Sequence, residues 1–84
     1  MKKNIVILGS TGSIGKNLLS IIKKDKKNFD IKILSTNKNV TKIVKQAKDF
    51  KVKKIIISNN KKFLIAKEKY KKLDIKFYNS FSIL

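Results

Sequence analysis

All three glycines of this 84-residue chain fall between positions 9 and 15, inside the stretch "IVILGSTGSIGK", and no proline occurs anywhere. An apolar run that breaks into glycines and passes at once into helical periodicity is the pattern of a strand, a tight turn and a helix. The run from Asn4 to Leu8 suits a short strand buried on both faces. From Ser13 the period changes: Ile14, Leu18, Ile21 and Ile22 fall at i, i+4, i+7 and i+8, which predicts a helix with those four turned to the core, ending in "KKDKKN".

The same alternation continues to the end of the chain. "FDIKILS" predicts a second strand over about Asp30 to Ser35. Val40, Ile43, Val44, Ala47 and Phe50 form a second helical stripe, with Asn39 placed to cap it. "KIIIS" from Lys54 to Ser58 is a strand, since consecutive isoleucines favour a pleated, buried setting. Phe63, Ala66, Tyr70 and Leu73 predict a third helix, and Ile75 to Tyr78 a last short strand. Such alternation implies parallel strands joined by right-handed helical crossovers, an α/β architecture. The chain is read as one domain forming half of a doubly wound sheet. Its ending "NSFSIL", which reads as the start of another helix, is taken as the mark of a fragment of a longer protein.

Composition removes much of the usual catalytic inventory. There is no cysteine and no histidine, so a disulfide framework, a thiol nucleophile, a histidine base and a Cys/His zinc site are excluded. No stretch reaches the roughly 18 apolar residues of a membrane span, and the opening residues lack a long signal-peptide core; the expected setting is cytoplasmic. The net charge is +17, with every one of the 22 basic residues a lysine. A charge of that size can hold nucleic acid through phosphates. Guanine readers, however, use arginine, and these lysines are spread from Lys2 to Lys76 alongside many asparagines and isoleucines, as a proteome-wide compositional bias would spread them.

In a turn between a strand and a helix, the first glycine permits the reversal, the second admits a pyrophosphate to the backbone, and the third lets helix and strand pack closely. Gly9, Gly12 and Gly15 stand where those needs arise. Thr11 and Ser13 add hydroxyls, and the helix N-terminus adds unpaired N–H groups and a positive dipole end. The loop is not a P-loop: five residues separate Gly9 from Gly15, and Asn17 replaces the required hydroxyl. An acid near the end of the second strand would bind the ribose of NAD, whereas a base there accommodates the extra phosphate of NADP. The segment "LSTNKNV" holds Lys38 and no acid, which favours NADP.

The unbroken GSTGSIG from Gly9 to Gly15, the "NKNV" after the second strand and the "FKVKK" approach to the third resemble the N-terminal segment of the 1-deoxy-D-xylulose 5-phosphate reductoisomerase family. That resemblance covers essentially the whole chain. It implies a Rossmann-like βαβαβαβ parallel sheet over residues 1–84, part of an NADPH-binding domain, with catalytic and C-terminal domains absent. It implies NADPH contacts at Gly9, Thr11, Gly12, Ser13 and Ile14 on the pyrophosphate side, and at Asn37, Lys38 and Asn39 on the adenosine side, with Lys38 near the 2′-phosphate. Asn37 departs from the family's usual glycine. A divalent metal (Mg2+ or Mn2+), a phosphosugar substrate and a homodimer belong to the full-length family, whose metal-binding acids lie beyond residue 84, so no catalytic or metal-ligating residue is expected here. Another NADP dehydrogenase with a G-x-x-G-x-x-G loop, of the semialdehyde dehydrogenase or extended short-chain reductase type, and a small basic nucleic-acid-binding module are the competing readings.

Overall fold

Strands rich in isoleucine alternate with helices in the computed structural model, which describes residues 2–84. The order is β1 (Lys3–Ile7), α1 (Ser13–Lys23), β2 (Phe29–Thr36), α2 (Val40–Phe50), β3 (Lys54–Ile57), α3 (Asn60–Lys69) and β4 (Lys76–Tyr78), with 3₁₀ turns at Lys26–Asn28 and Phe81–Ile83. The expected βαβαβαβ sequence is thus present, and the C-terminal "FSI" forms only a single 3₁₀ turn. All strand pairs are parallel and lie in the order β1-β2-β3-β4. Among the described residues, no helix is long and apolar enough to cross a membrane.

One core joins the sheet to all three helices. It takes Ile7 from β1, Ile31 and Leu34 from β2, and Ile55 and Ile57 from β3, and packs them against Leu19 and Ile22 of α1, Ile43, Val44 and Ala47 of α2, and Phe63 and Ala66 of α3. Ile55 and Ile57 are in this cluster and Ile56 is not, as the two-residue period of a strand requires. In β2 the period slips. Ile5 pairs with Ile31 but Val6 with Ile33, so Lys32 is skipped as a bulge; Ile31 and Leu34 therefore share the helix-facing side. Leu34, Ile43, Ile55 and Ile57 are wholly buried, each stabilising the fold by about 1.5–3 kcal/mol. The ion pairs Lys32–Asp30, Lys53–Asp74 and Lys71–Glu68 are solvent-exposed and add little.

Two expectations are corrected. β1 is not buried on both faces: it is an edge strand, hydrogen-bonded to β2 alone, and Val6 is exposed. The core-facing side of α1 is also not the one the apolar spacing marked. Ile14, Leu18 and Ile21 are 85%, 41% and 65% exposed, whereas the buried residues are Gly15, Leu19 and Ile22. The helix carries apolar residues on both sides, so two stripes fit its sequence. Gly15 decides between them: a Cβ built there would stand 2.5 Å from the Gly9 carbonyl oxygen and 2.6 Å from Ser10 Cα. Only a glycine side of the helix can come that near the strand-end backbone, and Leu19 and Ile22 follow it inward.

Candidate functional site

The turn after β1 is built by Gly9, whose φ of +68° is a left-handed conformation that costs most residues about 1–2 kcal/mol. The Gly12 N–H donates to the Gly9 carbonyl at 3.1 Å, closing the turn, and α1 begins at Ser13 with Gly12 as its N-cap. Nothing lies within 4 Å of a Cβ placed on Gly9, so strain alone opposes a side chain there. Gly9→Ala is expected to lower stability by about 1–2 kcal/mol, read as a shifted urea midpoint; an unchanged midpoint would contradict the left-handed turn.

No side chain caps α1, and no acid stands in its first turn. The amides at its start therefore keep their bonding capacity and partial positive charge. α2 begins the same way. Asn39 is its N-cap residue, as expected, but its side chain makes no capping bond and the first turn holds no acid. α3 differs, because Asn59 Oδ1 accepts from the Lys62 N–H at 3.0 Å. The two open helix starts are those at the carboxyl ends of the neighbouring parallel strands β1 and β2, where α/β sheets bind ligands. Lys16 of α1 and Lys42 of α2 add positive charge. The Lys16 side chain, through its hydrogen bond and its like charge, holds the Lys42 pKa below the usual lysine value.

The expected site residues fall in two adjoining segments. Gly9, Thr11, Gly12, Ser13 and Ile14 occupy the turn and first residues of α1, and Asn37, Lys38 and Asn39 link β2 to α2. Thr36 joins the two segments: its Oγ1 lies 2.8 Å from Thr11 Oγ1 and accepts from the Asn39 N–H at 3.4 Å. Lys38 is exposed and takes part in none of the three ion pairs among the described residues. Asn37 has no positive φ, so the glycine usual in the family is not needed to form this turn. Its side-chain oxygen accepts from Ser58 Oγ at 3.0 Å and its carbonyl from the Asn59 N–H at 3.0 Å, which tie it to the start of α3.

Sequence reading missed three residues that shape the turn. Ser35 Oγ accepts from the Gly9 N–H and the Ser35 carbonyl from the Ser10 N–H, both at 2.9 Å. Thr36 is the bridge just described, and Gln46 of α2 holds Ser10. The available signal was the polar pair Ser35–Thr36 closing an apolar strand; both are buried, and buried hydroxyls need partners.

The residues fit a phosphate ligand on one further point. A Cβ on Gly12 would meet only the Gly9 oxygen, at an ordinary 3.5 Å, so the fold itself does not demand glycine at the helix start. A parallel α/β sheet whose first strand runs into such an open glycine turn is a Rossmann-like fold. Residues 5–81 match the family described as 1-deoxy-D-xylulose 5-phosphate reductoisomerase, and the chain belongs to that family.

The reductoisomerase of Pelagibacter ubique is 49% identical over 82 residues, covering 98% of this chain and 21% of its own length. That of Porphyromonas gingivalis is 41% identical over 78 residues, covering 93% of this chain and 20% of its own. Among solved structures, a DOX-P reductoisomerase in complex with NADPH, fosmidomycin and magnesium superposes with a TM-score of 0.86 at 28% identity, over 95% of this chain and 20% of that one. The Zymomonas mobilis enzyme in complex with NADPH shares the fold, with a TM-score of 0.85 at 24% identity, over 93% of this chain and 21% of that one. The chain thus spans about a fifth of the length of these relatives. These relatives do not favour the semialdehyde dehydrogenase, short-chain reductase or nucleic-acid readings.

Proposed function

We propose that this chain is the NADPH-binding segment of a reductoisomerase that rearranges and reduces 1-deoxy-D-xylulose 5-phosphate to 2-C-methyl-D-erythritol 4-phosphate. Residues 1–84 form the first part of the cofactor domain, and the catalytic and C-terminal domains belong to the rest of the full-length protein. The observation that carries this reading is the open turn at Gly12: an uncapped helix start with no acid and no fold-imposed need for glycine. NADPH supplies the hydride when bound. The chain's part is to hold it, the pyrophosphate on the amides and hydroxyls of Thr11, Gly12, Ser13 and Ile14, the adenosine end on Asn37, Lys38 and Asn39.

Among the described residues no group of three or more acids, histidines or cysteines could hold a metal ion. We assign the divalent metal and the phosphosugar to the remainder of the enzyme, and expect no turnover from residues 1–84 alone. A cytoplasmic homodimer is part of the same reading.

Titration of the chain with NADPH and NADH tests it. NADPH is expected to bind more tightly, and equal weak affinity for both would sink the proposal. Lys38→Ala should weaken NADPH by roughly 10- to 100-fold, the worth of a hydrogen bond to a charged group, and leave NADH nearly unchanged. Equal loss for the two nucleotides would remove Lys38 from the 2′-phosphate.

A further inference from the structure

We propose that Gln46, in the middle of α2, is the positioning residue of the pyrophosphate turn, setting its distance from the adenosine end of the site. This rests on the dinucleotide reading above. The Gln46 side chain engages Ser10 twice: its Oε1 accepts from Ser10 Oγ at 2.8 Å, and its Nε2 donates to the Ser10 carbonyl at 2.9 Å. Ser10 is fully buried, so its carbonyl, left without Gln46 Nε2, would carry a desolvation penalty, while its hydroxyl would keep only a longer contact with the Ser35 carbonyl, at 3.4 Å. The pair of bonds therefore fixes the Ser10 peptide in one orientation.

Two consequences follow from where Ser10 and Gln46 sit. Ser10 lies between Gly9, which turns the chain, and Thr11 to Ser13, whose backbone faces the ligand; rotating the Ser10 peptide would swing the amides that meet the pyrophosphate. Gln46 belongs to the helix that Asn39 begins, directly after Lys38. The clamp thus links the pyrophosphate turn to the helix that begins directly after the proposed 2′-phosphate contact. The Ser35 and Thr36 bonds pin the turn to β2, whereas Gln46 pins it to the body of α2. A ligand that touches both ends should feel the clamp, and a ligand that touches one end should not.

The test compares NADPH with adenosine 2′-monophosphate, which engages the adenosine end only. Gln46→Leu is expected to weaken NADPH about tenfold, the loss of two neutral hydrogen bonds, while adenosine 2′-monophosphate binds within about twofold of the original chain. Ser10→Ala, which removes one bond of the pair, should give a smaller loss on NADPH. The double variant should be little worse than Gln46→Leu, since the hydroxyl's shorter bond is the one to Gln46 and its contact with the Ser35 carbonyl is long, at 3.4 Å. Equal weakening of both ligands, or no weakening of NADPH, would overturn the positioning role.

Amide spectra of the unliganded chain supply a readout that needs no ligand. The Thr11, Gly12 and Ser13 signals should shift in Gln46→Leu while those of α3 stay in place; unmoved turn signals would also overturn the role. If the unaltered chain fails to bind NADPH, the dinucleotide reading falls, and the amide shifts still decide whether Gln46 sets the turn. Should Gln46→Leu not fold, as judged by circular dichroism, Ser10→Ala decides by the same two ligands.

Discussion

Gly15→Ala is expected to destabilise the chain by about 1–3 kcal/mol, the range of a forced overpacking. Two effects oppose each other at this position. Alanine is the better helix former, worth about 1 kcal/mol over glycine inside a helix, and Gly15 lies in the first turn of α1. Against that gain stands a methyl group 2.5 Å from the Gly9 carbonyl oxygen, 2.6 Å from Ser10 Cα and 2.8 Å from the Ser10 carbonyl carbon. All three atoms are backbone, and Ser10 is held from two sides by Ser35 and Gln46, so no side chain can swing away to make room. The clash wins, and α1 must lift off the turn, loosening Leu19 and Ile22 from the core. A chain of this length has a total stability of roughly 4–12 kcal/mol, so the variant is expected to unfold at a much lower urea concentration. A midpoint at or above that of the unaltered chain would show that helix propensity prevails and that the close approach is not tight.

The strand and helix order was legible because each segment of this chain has one dominant period. β3 reads as a strand from three adjacent isoleucines, and α2 shows the single stripe Ile43, Val44 and Ala47 that the structure buries. α1 was legible as a helix but not in its rotation, because apolar spacing gives weight to Ile14, Leu18 and Ile21 and none to Gly15. There the missing side chain decides the packing. β1 has the continuous apolar run of a central strand, and its place at the sheet edge depends on which strands lie beside it, a property no local pattern encodes. The glycine turn after β1 and the "NKNV" loop after β2 were legible as turns because their residue types stand at fixed spacing between a strand and a helix. Gln46 and Thr36 were not legible, since a glutamine in mid-helix and a threonine at a strand end read as surface residues until the fold brings them to Ser10 and Thr11.

The converse experiment is Gly12→Val, which is expected to spare the fold and weaken NADPH binding. Gly12 is extended, with φ −81° and ψ 176°, a conformation that suits a β-branched residue. Its Cβ position touches only the Gly9 oxygen, at 3.5 Å, so the change in stability should stay near the roughly 1 kcal/mol that a poorer N-cap residue costs. The cost falls on the ligand. Two methyl groups at the helix start would stand between the first-turn amides and a pyrophosphate, and an overpacked contact of about 1–3 kcal/mol corresponds to roughly a 5- to 150-fold loss of affinity. Adenosine 2′-monophosphate, which the proposed site holds at Lys38 and Asn39, should keep its affinity. Gly15→Ala and Gly12→Val then form a crossed pair: the first lowers stability through the fold, the second lowers affinity without touching it. If Gly12→Val bound NADPH as tightly as the original chain, the pyrophosphate would have to lie elsewhere, and the second glycine of the turn would lose its functional reason. If it unfolded the chain, glycine there would answer to the fold after all, and the openness of the helix start would no longer mark a ligand.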